Sequence, residues 1–134
     1  KKEKERAGKY IKAIKIKTPS AKQLCKNLSG GNQQKVVIAK WMCRDSEVFI
    51  FDEPTVGVDV GAKVEIYKLI EELIHQGKAV ILISSYLPEV MGLADEMIVM
   101  SEGRQMAILD KSEFYYEDGK LNEGKVLKLA SGLA

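Results

Sequence analysis

Two adjacent acids, Asp52 and Glu53, directly follow the apolar run Val48-Phe49-Ile50-Phe51. An acid at the end of a buried strand can hold Mg²⁺, usually through water, while its neighbour orients or activates the water that attacks a phosphoryl group. Asp-Glu-Pro is also ordinary turn chemistry, so the pair taken alone leaves a plain strand-to-loop transition open. Upstream, Leu28-Ser29-Gly30-Gly31-Asn32-Gln33-Gln34 stands where a helix begins. A hydroxyl, glycines without Cβ atoms and the positive end of a helix dipole together suit the close approach of phosphate. The simpler alternative is a serine N-cap followed by loop glycines. Asp59 likewise reads as the N-cap of a helix starting near Val60.

These residues need elements to position them. Residues 3–16 read as an amphipathic helix with Ala7, Tyr10, Ile11 and Ile14 at helical spacing, and Thr18-Pro19-Ser20 breaks it. Gly30 to about Cys43 favours helix, and its run Val36, Val37, Ile38, Ala39, Trp41, Met42 predicts that this helix is largely buried. Val48 to Phe51 and Ala79 to Ser84 suit strands buried on both faces. Between them a helix over about 60–76 carries Ile66, Leu69, Ile70, Leu73 and Ile74 on one face, with Gly77 just past its end. Pro88 fits a first helical turn and Gly92 the close of that short helix. Met97 to Met100 and Gln105 to Leu109 flank a hairpin turn at 101–104, and a terminal helix holds Val126, Leu127, Leu129 and Ala130. Strands alternating with helices argue for an α/β fold around a mostly parallel sheet.

Composition sets the outer bounds. A chain of 134 residues, 46% hydrophobic and 30% charged, is long enough for one domain with a real core and carries no signature of disorder. Its longest apolar stretches, such as Ala79 to Ile83, fall well short of the roughly 18 residues that span a bilayer. Cys25 and Cys43 form no CxxC pair and read as free thiols, and His75, the single histidine, reads as a surface residue near a helix end. Lys1 to Lys17 carries a net +6 and leaves −4 for the remainder. A basic run can read phosphate backbones, but its spacing suits a solvated helix.

Taken together, the order and spacing of the two motifs resemble the ABC ATPase family, in which an LSGGQ signature shortly precedes the Walker B strand. Here Leu28 to Asn32 is the signature, with Asn32 where the broad family has glutamine. The longer string Asn27 to Val36 is similar to that of ATP-binding proteins of ribose- and galactose-type importers. The likeness extends through Ile16-Lys17-Thr18-Pro19-Ser20, Asp52 to Lys63 and Ile83 to Val90. Carried over residue by residue, it implies that Asp52 supports Mg²⁺ and that Glu53 is the catalytic carboxylate. It also implies nucleotide contacts at Ser29, Gly30, Gly31 and Asn32, and makes Asp59 the D-loop acid coupling two facing ATP sites. Ser85 falls at the family's switch-histidine position, where it cannot do imidazole chemistry. Importers of this class fuse two ATPase halves, and Ser84-Ser85 resembles the second.

The expected cofactors are therefore ATP and Mg²⁺. The expected fold is a partial P-loop NTPase fold lacking the Walker A strand and loop: residues 1–29 end a helical subdomain and linker, 30–110 form the signature-to-core region, and 111–134 a tail with a helix. Gly119 to Val126 nearly fits G-x-x-x-x-G-K-[ST], but Val126 lacks the hydroxyl and no buried strand precedes Gly119, so it reads as a turn into the terminal helix. The implied partners are the rest of the ATPase chain with its first half, membrane permease subunits and, indirectly, a sugar-binding protein, at the cytoplasmic face of the membrane. Nucleic acid is not expected. The expected activity is ATP hydrolysis coupled to sugar import, with the segment inactive by itself and prone to self-association. The alternatives are an ABC ATPase acting on nucleic acid or ribosomes, favoured only by the basic N-terminus, and a non-catalytic interaction fragment.

Overall fold

The computed structural model describes residues 2–44 and 46–132 and divides into two compact units, Lys1–Ile81 and Leu82–Ala134. In the first, α1 (Lys2–Ala13) stops earlier than its apolar spacing predicts. Lys15 takes a left-handed φ of 52°, and the amides of Lys15 and Ile16 turn back to the carbonyls of Lys12 and Ile11. That is a Schellman closure with lysine in the position usually given to glycine. The chain then reaches Ile14 and Ile16, both buried, before the Thr18-Pro19 break.

The helix α2 (Gly30–Met42), the strand β1 (Val48–Asp52), the helix α3 (Val60–His75) and the strand β2 (Ala79–Ile83) follow. β1 and β2 are neighbours in one parallel two-stranded sheet with α3 as the crossover, the connection that parallel strands require. Of the predicted amphipathic face of α3, Ile66, Leu69, Ile70 and Leu73 are buried while Ile74 at its edge is exposed, and the helix closes at Gly77 with φ of 80°. His75 is exposed at its last turn.

Two expectations of burial fail in this unit. Along β1, burial alternates: Phe49 and Phe51 are covered, their rings 6.2 Å apart, while Ile50 is 66% exposed. β2 exposes Ile81 and Ile83 in the same way. A strand's side chains point alternately to opposite faces, and among the described residues only one face of this sheet is covered. Similarly α2 buries Gly31, Lys35, Ile38 and Ala39 but leaves Val37 and Trp41 in the open. Its apolar residues run around the helix, whereas its neighbours cover one stripe.

The second unit holds α4 (Leu87–Leu93), the strands β3 (Glu96–Ser101) and β4 (Arg104–Asp110), and α5 (Glu123–Ala130). Pro88 sits in the first turn of α4, but Gly92 lies inside the helix and Ala94 caps it. β3 and β4 pair antiparallel, with Ser101 opposite Arg104. Glu102 and Gly103 both take positive φ, the requirement of a two-residue turn that follows the twist of the strands. Met91, Met97, Val99, Leu109, Phe114 and Val126 form one buried cluster.

Candidate functional site

Ser29 stands at the N-cap of α2 with extended backbone, and its carbonyl accepts the first helical bond from the Gln33 amide at 2.9 Å. Its side chain makes no capping bond. The hydroxyl is instead met by the side chain of Asn32, whose Nδ2 donates to Ser29 Oγ at 2.7 Å. Asn32 Oδ1 in turn accepts the backbone N–H of Lys17 at 2.7 Å, which ties the segment after α1 to the start of α2.

Both glycines of the motif are used for proximity. A Cβ placed on Gly31 would lie 2.4 Å from the Cβ of Ala62, and one on Gly30 would lie 3.1 Å from the carbonyl oxygen of Gly57. Only a residue without a side chain lets the start of α2 press against the start of α3 in this way. One turn further along α2, the buried Lys35 donates to Glu65 of α3 and, at 3.2 Å, to the carbonyl of Lys15. Lys35 thereby holds the Glu65 carboxyl below its ordinary range, chiefly through that hydrogen bond, with Lys17 and Lys15 adding to the field.

α3 begins at Asp59, whose Oδ1 accepts from the Ala62 amide at 2.9 Å, so the predicted N-cap is in place. Ser29, Gly31, Asn32 and Asp59 thus converge on one cavity of about 210 Å³, whose walls Lys17 and Glu65 share. The acids Asp52 and Glu53 are not among its lining residues. Asp52 is exposed at the end of β1, and Glu53, with φ of 47°, leaves the strand direction abruptly. For a residue with a Cβ that backbone is costly, by about 1–3 kcal/mol, and it is held here above buried Pro54 and Thr55. A turn bond from the Val56 amide to the Glu53 carbonyl closes the bend.

The described residues contain no group of three or more His, Cys, Asp or Glu side chains placed to hold a metal ion. That is compatible with Mg²⁺, which keeps several waters and takes one or two carboxylates together with substrate phosphates. Asp52, exposed at the strand end, fits such a donor set. Ser85 lies in the second unit between β2 and α4. Beside it, Ser84 Oγ donates to Glu89 at 2.7 Å and accepts from the Tyr86 amide at 3.1 Å.

The G-x-x-x-x-G-K near-match is built as a helix start. Asn122 caps α5 by accepting from the Lys125 amide at 3.2 Å, and Lys125 Nζ donates to Glu113 at 2.8 Å. A lysine engaged in that way is not arranged as a phosphate cradle. A second, mainly apolar cavity of about 370 Å³ lies between α1 and α2, with Tyr10, Ile11, Ile16, Leu28, Val36 and Ala39 in its walls. None of the predicted site residues lines it. Cys25 and Cys43 are free thiols, both exposed. The residues missed by sequence reasoning are Lys17, Lys35, Ala62 and Glu65. No local signal marks Lys35, which follows Gln33 and Gln34 and precedes the apolar run that begins at Val36.

Residues 2–56 match the family pattern of ABC transporters. Over 124 residues, 92% of the chain, the sequence is 55% identical to a ribose import ATP-binding protein of Clostridium perfringens. It is 50% identical over 126 residues to a xylose import ATP-binding protein of Thermoanaerobacter pseudethanolicus. The chain spans only 23% of the length of the first relative and 24% of the second. Among solved structures, an ATP-binding cassette of an ABC transporter aligns with a TM-score of 0.76 and 26% identity, over 93% of this chain and 48% of that one.

Proposed function

Since the chain belongs to the ABC transporter family, we propose that it is the C-terminal portion of one ATPase domain, from the second half of a sugar importer's ATP-hydrolysing subunit. Residues 1–29 close the helical subdomain and linker, 30–110 carry the signature helix and core, and 111–134 form the tail. The observation that carries the reading is the convergence of Ser29, Gly31, Asn32 and Asp59 on one cavity, held by the Gly31–Ala62 contact. This arrangement joins the residues that grip a facing domain's nucleotide to the residue that signals between the sites.

In this reading Ser29, Gly30, Gly31 and Asn32 form the lid over ATP bound by the partner domain. The preorganised amides at the start of α2 and the Ser29 hydroxyl stabilise its phosphate charge. Asp52 supports Mg²⁺ and Glu53 orients the attacking water at the domain's own nucleotide. The strained left-handed backbone at Glu53, directly after the strand, is of the kind that collects at functional sites and supports this assignment. Asp59 couples the two sites, and Ser85 occupies the switch position without a titratable ring. A Walker A loop from outside the 134 residues is required, so the chain alone does not turn over ATP. No described helix is long and apolar enough to cross a membrane. In this reading permease subunits hold the protein at the cytoplasmic face, with a sugar-binding protein acting through them.

The test uses the full-length subunit assembled with its permease. Glu53→Gln is expected to cut ATP turnover by at least about a hundredfold while ATP binding persists. Magnesium-dependent turnover by the 134-residue chain alone, lost on Glu53→Gln, would overturn the proposed dependence on an external loop.

A further inference from the structure

Asn32 connects two groups that differ in what they can offer a hydrogen bond. The Lys17 backbone N–H, at 2.7 Å, can only donate, so the Asn32 atom facing it must be the carbonyl oxygen Oδ1. That fixes the amide orientation and places Nδ2, a donor only, 2.7 Å from Ser29 Oγ. The hydroxyl oxygen therefore accepts. Its single hydrogen is left for another acceptor, and Ser29 lines the cavity shared by Lys17, Asp59 and Glu65.

The usual alternative is not taken. A serine at an N-cap ordinarily accepts an amide from its own helix, and the third helical residue reaches back to the N-cap backbone. Here Asn32 is that third residue, and it reaches the N-cap side chain instead. The helix amides of 30–32 are consequently not consumed by the Ser29 side chain. Nor does charge alone make the cavity attractive to an anion, since Asp59 and Glu65 share its walls with one lysine, Lys17. Recognition of a phosphate oxygen there needs donors that are already aimed.

We infer that Asn32 serves the lid as a positioning residue: it relays the fixed polarity of the Lys17 amide through its side chain, so that Ser29 presents its hydroxyl hydrogen to a phosphate oxygen. The inference deepens the signature-lid reading given above and rests on it. The relay polarises as well as orients, because each accepted bond makes the next donor stronger. A glutamine carries the same groups on one more methylene and would have to fold back to span the same two partners. The shorter side chain suits this particular connector.

The experiment is a double-mutant cycle on ATP hydrolysis by the full-length subunit with its permease, at saturating Mg²⁺. Ser29→Ala is expected to lower kcat/KM about 10- to 100-fold, the loss of one hydrogen bond to a charged group. Asn32→Leu, nearly the same shape without donor or acceptor, should reproduce most of that loss. In the Ser29→Ala background it should add no more than about twofold. Asn32→Asp supplies a second readout. Ionised, the introduced carboxylate can only accept and draws the Ser29 hydrogen toward itself; protonated, it regains a donor. Its deficit against the parent protein should therefore shrink as pH falls toward the carboxyl range, and this trend should vanish when Ser29 is alanine. Equal losses from Asn32→Leu with and without the Ser29 hydroxyl would overturn the relay and leave the lid intact. So would full activity in Asn32→Leu. A silent Ser29→Ala would instead remove the lid reading, and the relay with it.

Discussion

Around Phe114 the second unit closes a core from a hairpin, two helices and a short turn, whereas the first joins α2 to α3 through a contact so close that it admits no side chain on Gly31. The first unit also leaves Val37, Trp41, Ile50 and Ile81 about half exposed or more, while carrying every predicted site residue except Ser85. Exposure does not separate the two, since the second leaves Ile98, Met100, Ile108 and Leu127 equally open; the unit that holds the chemistry differs in how its buried part is closed. It places precision where small residues and directed hydrogen bonds meet, and the other places stability in bulk.

The largest expected effect is therefore in the second unit. Phe114 is fully buried, so Phe114→Ala should remove about 3–5 kcal/mol, the loss of a large aromatic plus the cavity it leaves. A shift in the denaturant midpoint with an unchanged slope would show it. A loss below about 1 kcal/mol would mean that this core is not closed around Phe114 and would erase the contrast. The next effect lies at the helix junction. Gly31→Ala introduces a methyl 2.4 Å from the Cβ of Ala62, and relieving that overlap should cost about 1–3 kcal/mol. Because the clash has one named partner, Ala62→Gly should restore much of the loss. Absence of rescue would place the strain elsewhere.

What the sequence made legible follows from what kind of information each feature needs. The αL turns at Gly77 and Glu102-Gly103, the α3 face and the Asp59 cap depend on near neighbours in the chain, and they stand where residue types put them. The motif positions were legible because their order and spacing carry a family likeness. The α1 end was missed because lysine, at Lys15, occupies a conformation that glycine normally signals. Burial of β1, β2 and α2 was overestimated because apolar composition records what a surface prefers and says nothing about which elements are present to cover it. The Lys35–Glu65 pair was illegible for a related reason. A lysine among Gln34, Val36 and Val37 discloses a partner 30 residues away only once α2 and α3 have met.

That pair allows the comparison to be sharpened by pH. Glu65 in the first unit and Glu113 in the second both have carboxyls held below their ordinary range, each first by a lysine hydrogen bond, Lys35 and Lys125 respectively. A depressed carboxyl stabilises the folded state above the range where the unfolded chain titrates, and that stability is lost as pH falls through the folded value. Both contributions should fade on the acid side of the ordinary carboxylate range. Glu65→Gln leaves the buried Lys35 ammonium without its anion, so it should flatten the acid limb of the stability profile more than Glu113→Gln does. Because the glutamine still offers Lys35 an oxygen, the Lys15 carbonyl remains, and Glu65 is partly in water, the effect at neutral pH should stay under about 1 kcal/mol. Equal flattening by both variants would mean that burial of the lysine does not distinguish the two bridges.

The smallest expected effect bears most directly on the open sheet. Ile50 projects from the uncovered face of β1, opposite the buried Phe49 and Phe51, and is 66% exposed. Little of its surface is removed from water, so in the 134-residue chain Ile50→Ser should change stability by no more than about 0.5 kcal/mol. The same substitution in a longer protein that covers this face would delete a buried side chain and add an unpaired hydroxyl, at a cost of about 2–5 kcal/mol. Paired melts of the two proteins, each with Ile50 and with Ser, make the difference measurable. A cost that appears only in the longer protein would show that the exposed apolar face of the first unit is an interior surface awaiting its cover. Equal, small changes in both would make it true exterior.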